Sequence, residues 1–98
     1  MARLDLRPCC ELCGTDLPPA ATNARICSFE CTFCTACADG VLHDVCPNCG
    51  GNLVPRPIRP RAMLERFPAA AERVVKSPDP ERQSELSARY RGRAPEDR

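Results

Sequence analysis

Eight of the nine cysteines fall into four pairs, Cys10-x2-Cys13, Cys27-x3-Cys31, Cys34-x2-Cys37 and Cys46-x2-Cys49, separated by 13, 2 and 8 residues. Two thiolates this close on a tight turn can reach one tetrahedral metal at about 2.3 Å per bond, so each pair reads as half of a four-sulfur site. Four half-sites predict two Zn2+ ions, with Cys10, Cys13, Cys27, Cys31, Cys34, Cys37, Cys46 and Cys49 as ligands.

The rest of the chain makes a metal necessary. The cysteine-bearing stretch offers a small set of sizeable apolar side chains, among them Leu17, Ile26, Phe33, Leu42, Val45 and Leu53. A core of that size does not hold a fold by itself, and domains so small rely on disulfides or metal. The N-terminal residues choose between these. Arg3, Asp5 and Arg7 interrupt any apolar run of signal-peptide length. No later segment is long enough to span a bilayer. The expectation is a cytoplasmic chain in a reducing compartment, where clustered cysteines bind metal.

Two unlike parts follow. All nine cysteines and the one histidine precede Val54, whereas residues 55–98 carry most of the eleven prolines and eleven of the fourteen basic residues. Residues 1–54 hold three basic and six acidic groups, net −3, and residues 55–98 eleven and seven, net +4. Two four-thiolate zinc sites would take the first part to about −7. The division predicts a metal-bearing module over 1–54 and a Pro/Arg-rich tail over 55–98.

Local signals predict a small metal-stabilised α+β module with short strands and one or two short helices. Ala24–Ile26 reads as a strand, Ser28 as an N-cap for a helical turn reaching Cys31, and Thr35–Leu42 as a short helix ended by Gly40. Cys46-Pro-Asn-Cys-Gly-Gly51 reads as a tight knuckle, and Asn52–Val54 as a closing strand. In the tail, Pro55–Arg61 is too rich in proline for helix or central strand, and Pro68 can start a helix through Lys76. The remainder, with at most a transient helix over 84–91, is expected to be disordered.

The cysteine order resembles that of RING-type zinc fingers, with Cys31 where many of them carry histidine. That resemblance implies a cross-brace, with Cys10, Cys13, Cys34 and Cys37 on one zinc and Cys27, Cys31, Cys46 and Cys49 on the other. Spacing leaves a sequential arrangement open, with Cys10, Cys13, Cys27 and Cys31 on one metal and the last four cysteines on the second. A second resemblance is more specific. Arg7-Pro8, Asp16-Leu-Pro-Pro19, Ala24-Arg-Ile-Cys-Ser-Phe-Glu-Cys-Thr-Phe-Cys34, Cys46-Pro-Asn-Cys-Gly-Gly51 and the Arg-Pro repeats after it are similar to a bacterial cysteine-rich family known as domain of unknown function 1272. It covers about the first sixty residues and supports the fold and the metal without bringing an activity. Cysteine at position 9 and leucine at position 12 depart from the family pattern.

Closed four-sulfur sites offer no open coordination position, and one histidine makes no catalytic constellation, so the expectation is a non-enzymatic chain. The leading function is a structural zinc finger that docks a protein partner or serves as a regulatory module, with Leu12, Leu42 and Val45 as candidates either for an exposed apolar patch or for the small core. The alternative is nucleic-acid binding through Arg56, Arg59, Arg61, Arg89, Arg91 and Arg93; acidic residues among them and scarce aromatics leave no continuous phosphate track. A tail folded back on its own anionic module explains the same charge split. An iron–sulfur redox role is weighed because Cys31-x2-Cys34-x2-Cys37 is similar to a ferredoxin run. A ubiquitin-ligase role is weighed against the lack of tryptophan between Cys37 and Cys46. Cys9 reads as a spare, exposed thiol and His43 as a surface histidine, since eight sulfurs already fill two tetrahedral sites.

Overall fold

In the computed structural model, residues 3–76 and 79–98 are described. The chain runs β1 (Ala24–Ile26), β2 (Thr32–Cys34), α1 (Thr35–Gly40), β3 (Val54–Pro55), α2 (Arg61–Leu64) and α3 (Pro80–Tyr90), then a 3-10 turn over Pro95–Asp97. This is a small α+β fold around one three-stranded antiparallel sheet in the order β2-β1-β3.

The central strand β1 sets the register. Ala24 pairs with Cys34, Arg25 with Phe33 and Ile26 with Thr32 on one side; Arg25 pairs with Pro55 and Ile26 with Val54 on the other. Proline is tolerated at Pro55 because β3 is an edge strand. The turn from β1 to β2 is the Cys27–Cys31 loop, closed by Glu30 N–H to Cys27 C=O at 3.0 Å and Cys27 N–H to Cys31 C=O at 3.2 Å. No helical turn forms at Ser28. Glu30 instead adopts a left-handed backbone, φ 65°, and its carboxylate accepts the N–H groups of Asp5 and Leu6 at 2.8 and 2.9 Å. Helix α1 follows β2 directly and stops at Gly40, as its sequence predicts.

The buried apolar side chains are Leu6, Leu17, Ile26, Phe33, Leu42, Val45 and Leu53 together with most of the cysteines. Leu42 and Val45 are therefore core, at 0 % and 2 % exposure, and the predicted docking patch is corrected: of its three members only Leu12 reaches the surface, half-buried against the core. They are buried because α1 ends on them, Leu42 N–H bonding Cys37 C=O at 2.9 Å and Val45 N–H bonding Leu42 C=O at 3.1 Å.

The tail departs from its expected form. Residues 68–76 form no helix, and backbone groups in the segment pair with the module: Ala70 N–H donates to Asp5 C=O at 2.8 Å and Lys76 N–H to Glu11 C=O at 2.7 Å. Tertiary hydrogen bonds override the helical propensity of Ala69–Ala71. The longest helix lies beyond, at Pro80–Tyr90, where Asp79 accepts Glu81 N–H at 3.1 Å and Pro80 occupies the first turn. It is anchored by Ser87 Oγ donating to Leu42 C=O at 3.1 Å and Gln83 Nε2 donating to Val41 C=O at 2.9 Å. So the tail expected to be disordered lies against the module wherever these contacts hold it; residues 77 and 78 of that expectation lie outside the described residues.

Arginine makes most of this contact. Arg56 is 5 % exposed, and its guanidinium donates to Arg7 C=O at 2.8 Å, Leu17 C=O at 3.1 Å and Pro18 C=O at 2.9 Å. Burial lowers its pKa from the usual arginine value. Arg59 donates to Phe67 C=O and Leu4 C=O, each at 2.7 Å. The basic tail thus spends much of its donor capacity on the carbonyls of the acidic module.

Candidate metal centre

Two C-x2-C knuckles frame the sulfur sites, and they are copies of one another. Cys10-Glu-Leu-Cys-Gly-Thr-Asp-Leu17 aligns with Cys46-Pro-Asn-Cys-Gly-Gly-Asn-Leu53 at an offset of 36 residues. In both, the N–H of the first cysteine donates to the carbonyl five residues on at 2.8 Å, and the glycine N–H returns to the first cysteine's carbonyl at 3.0 or 2.9 Å. Both glycines take a left-handed backbone, φ 80° at Gly14 and 79° at Gly50, which turns the chain tightly enough to bring the paired sulfurs to one side. The terminal leucines, Leu17 and Leu53, are both buried.

The repeat also explains Cys9. Its counterpart 36 residues on is Val45, and the two are 1 % and 2 % exposed. Cys9 is therefore not the exposed thiol its sequence position suggested. It is a small apolar plug whose Sγ lies 3.8 Å from Val74 C=O and whose backbone bridges to Asp16.

Antiparallel pairing of β1 with β2 decides which cysteines meet. The Sγ atoms of Cys10, Cys13, Cys34 and Cys37 lie within 4.8 Å of one another, and so do those of Cys27, Cys31 and Cys46. The pairs are interleaved: the first joins the third, and the second joins the first member of the fourth. Cys49 completes its knuckle beside this trio without lying within 4.8 Å of every member, and it is exposed, with Gly51 N–H donating to its Sγ at 3.4 Å. His43 belongs to neither group among the described residues.

The first group is compact enough for one tetrahedral metal, and its Cys13–Cys34 pair fits the expected edge. Four sulfurs about 2.3 Å from a common centre sit about 3.8 Å apart, and Cys13 Sγ lies 3.7 Å from Cys34 Sγ. Backbone donors converge on sulfurs of both groups: Leu12 and Cys13 N–H on Cys10 Sγ at 3.4 and 3.5 Å in the first, and Phe29 N–H on Cys27 Sγ at 3.4 Å in the second. Asn48 Nδ2 adds a side-chain donor to Cys31 Sγ at 3.4 Å. Such N–H···S bonds stabilise thiolate, the ligating form.

Electrostatics separate the thiols. Burial, followed by neighbouring sulfurs, pushes Cys37 up. Burial also raises Cys46, Cys31 and Cys34. Crowded, buried sulfurs cannot all ionise unless a cation balances them. Cys13 is the exception, lowered to about 6 chiefly by its hydrogen bond with Thr15 Oγ1 at 3.0 Å and by the Thr15 N–H.

Knuckle geometry carries a prediction. Gly50 has a left-handed φ, and a Cβ there would meet the Tyr90 ring at 2.9 Å, whereas at Gly14 the nearest atom is Val75 Cγ2 at 3.6 Å. Gly14→Ala should cost about 1 kcal/mol, the conformational penalty alone. Gly50→Ala should cost about 2 kcal/mol or more, because Tyr90 must also move. Thermal melts of the two variants beside the parent chain check the order; equal shifts would mean that Tyr90 does not pack there.

Among the described residues no helix is long and apolar enough to cross a membrane. Comparison with known proteins agrees with the cysteine pattern. Residues 3–59 match the family model described as "Protein of unknown function (DUF1272)". "Uncharacterized protein R02474" of Rhizobium meliloti (strain 1021) is 58% identical over 73 residues, covering 74% of this chain and 87% of the relative. No solved structure matches. With its family segment holding all eight paired cysteines, the chain belongs to the DUF1272 family.

Proposed function

We propose that this chain is a structural, non-catalytic two-zinc module of RING-like cross-brace topology, which holds short loops rigid so that they dock a protein partner. Cys10, Cys13, Cys34 and Cys37 would hold one ion; Cys27, Cys31, Cys46 and Cys49 would hold the other, Cys49 joining from the knuckle it shares with Cys46. The observation that carries the reading is the interleaved gathering of sulfurs within 4.8 Å of one another, with 3.7 Å between Cys13 and Cys34. Bound zinc would supply cross-linking and charge balance, and four-sulfur coordination favours it among the common divalent ions. Cobalt substitution tests the ligand set directly: two equivalents should bind with the absorption of tetrahedral thiolate coordination, and an octahedral spectrum would sink the proposal.

A protein partner is favoured over nucleic acid by where the side chains lie. Phe29 is 72 % exposed on the loop between two sulfurs of the second set, a loop whose backbone is fixed by Cys27 and Glu30. An aromatic side chain presented on a rigid turn has the character of an interface anchor. By contrast, Arg56 is buried and Arg59, Arg73 and Arg98 bond module carbonyls, which leaves fewer guanidinium groups for phosphate. Pull-down with the zinc-loaded chain should recover a protein that is lost with Phe29→Ala. Recovery of nucleic acid without protein would contradict this reading. The expected location is cytoplasmic, where a reducing milieu keeps the thiols available.

The proposal fixes a pH dependence. Metal-held thiolates keep their protons off far below the unfolded thiol pKa, so zinc-dependent stability is present above that value and is lost as pH falls and protons displace metal. Thr15 favours the Cys13 thiolate; Thr15→Val should therefore move release of the first ion to higher pH, by on the order of half a unit for one lost hydrogen bond to a thiolate. The second ion should leave at the parent pH. Chelator-detected zinc release across an acid titration checks both, and equal shifts for both ions would contradict the assignment.

A further inference from the structure

The residues beyond the family segment close on the two knuckles in the same way. At the first, Arg73 Nη2 donates to Gly14 C=O at 2.7 Å, Arg73 Nη1 pairs with Asp16, and Val75 lies over the Gly14 Cα. At the second, Arg98 Nη1 donates to Gly50 C=O at 3.1 Å and to Asp44 C=O at 2.9 Å, while the Tyr90 ring covers Gly50. Each arm thus joins a guanidinium to the glycine carbonyl and an apolar side chain to the glycine face. Gly14 and Gly50 immediately follow Cys13 and Cys49, and those two are the exposed cysteines among the nine.

That placement has a kinetic meaning. A buried sulfur cannot reach a competing chelator until the loop around it opens, so ion loss from each set begins at its exposed ligand. Swinging Cys13 or Cys49 away from the metal requires the peptide just after it to move. That peptide is the one each arm holds.

We propose that residues 70–76 and 79–98 form two arms of a clamp that governs how fast the chain gives up its metals, the Arg73 arm acting on the Cys10, Cys13, Cys34 and Cys37 set and the Arg98 arm on the Cys27, Cys31, Cys46 and Cys49 set. This rests on the two-zinc reading and adds a role for the extension that the family segment, residues 3–59, does not contain. The arginines act separately: Arg73 bonds Gly14 and Asp16 of the first knuckle, and Arg98 bonds Gly50 of the second and Asp44 just before it.

The test uses the full zinc-loaded chain with Arg73→Ala, Arg98→Ala and both together. Zinc transfer to a chromogenic chelator gives the rate, and alkylation with mass mapping shows which cysteines become reactive. Loss of one arm's hydrogen bonds should speed release of one ion about five-fold, with Cys13 labelling accelerated in Arg73→Ala and Cys49 labelling in Arg98→Ala. The double variant should accelerate both. Arg73 is half exposed, so Arg73→Ala leaves the core intact and remains informative if Arg98→Ala folds poorly. Parent rates in Arg73→Ala, or equal acceleration of both sets by either single variant, overturn the clamp while leaving the metal sites standing. A parent chain that binds no zinc overturns the site assignment, and the clamp with it.

Discussion

Removal of both metals is expected to unfold the module and, with it, helix α3. The largest fully buried side chains, such as Phe33, Leu17, Leu42 and Val45, are few and share their core with cysteine sulfur. The sheet contributes strands of three, three and two residues. Such elements are marginal in isolation. A structural zinc site contributes on the order of 10–16 kcal/mol of apparent folding free energy, which is as much as the whole net stability of an ordinary domain, about 5–15 kcal/mol. Without the ions, six buried sulfurs, three in each group, would face each other as crowded thiols, and no disulfide among the described residues replaces the cross-link. Helix α3 should melt in the same transition. It has eleven residues, short of the length at which isolated helices persist, and its anchors Ser87 and Gln83 bond carbonyls of the module. Far-UV circular dichroism with a strong chelator should show loss of both strand and helix signal, reversed by added zinc. Retention of a cooperative melt at the parent temperature would mean that the fold stands without metal.

The second large effect separates neighbours in sequence. Cys31 and Cys34 are three residues apart, yet their sulfurs belong to different groups. Cys34→Ser should lose one ion and leave Cys10, Cys13 and Cys37 open to alkylation, while Cys27, Cys31, Cys46 and Cys49 stay protected. Cys31→Ser should do the reverse. Removing a ligand from a closed site forfeits most of that site's contribution, on the order of several kcal/mol, so each variant should also melt tens of degrees lower. Under sequential pairing, Cys34→Ser would instead expose Cys37, Cys46 and Cys49, so alkylation mapping distinguishes the two arrangements in one experiment. Cys9→Ser serves as the control: it disturbs a packed plug but should retain both ions.

Cysteine spacing alone makes the ligand candidates legible, because thiolates two or three residues apart have few other uses in such numbers. The pairing is another matter. It depends on β1 and β2 running antiparallel, with Ala24 opposite Cys34, so that the third pair returns to the first knuckle. Spacing permits that return without requiring it. Ala24–Ile26 and the end of α1 at Gly40 were readable because β-branched Ile26 and a terminating glycine mark them locally. The tail is not legible locally, for the opposite reason. Residues 68–76 have helical side chains, but the backbone partners that bind Ala70 and Lys76, Asp5 and Glu11, each lie 65 residues away in sequence. Leu42 and Val45 look like surface candidates until α1 places them under the knuckles. The 36-residue repeat was present in the sequence throughout. Aligning the two C-x2-C-G-x-[DN]-L segments would have shown that position 9 corresponds to buried Val45, and hence that Cys9 packs rather than projects.

The most direct test of two interleaved zinc sites is native mass spectrometry of the anaerobically purified full chain, followed by alkylation under non-denaturing conditions. The account predicts a mass increment of two zinc ions, no visible chromophore, and Cys10, Cys13, Cys27, Cys31, Cys34, Cys37, Cys46 and Cys49 all protected until the metal is removed. A single ion, no ion, or iron with a broad visible band would contradict it.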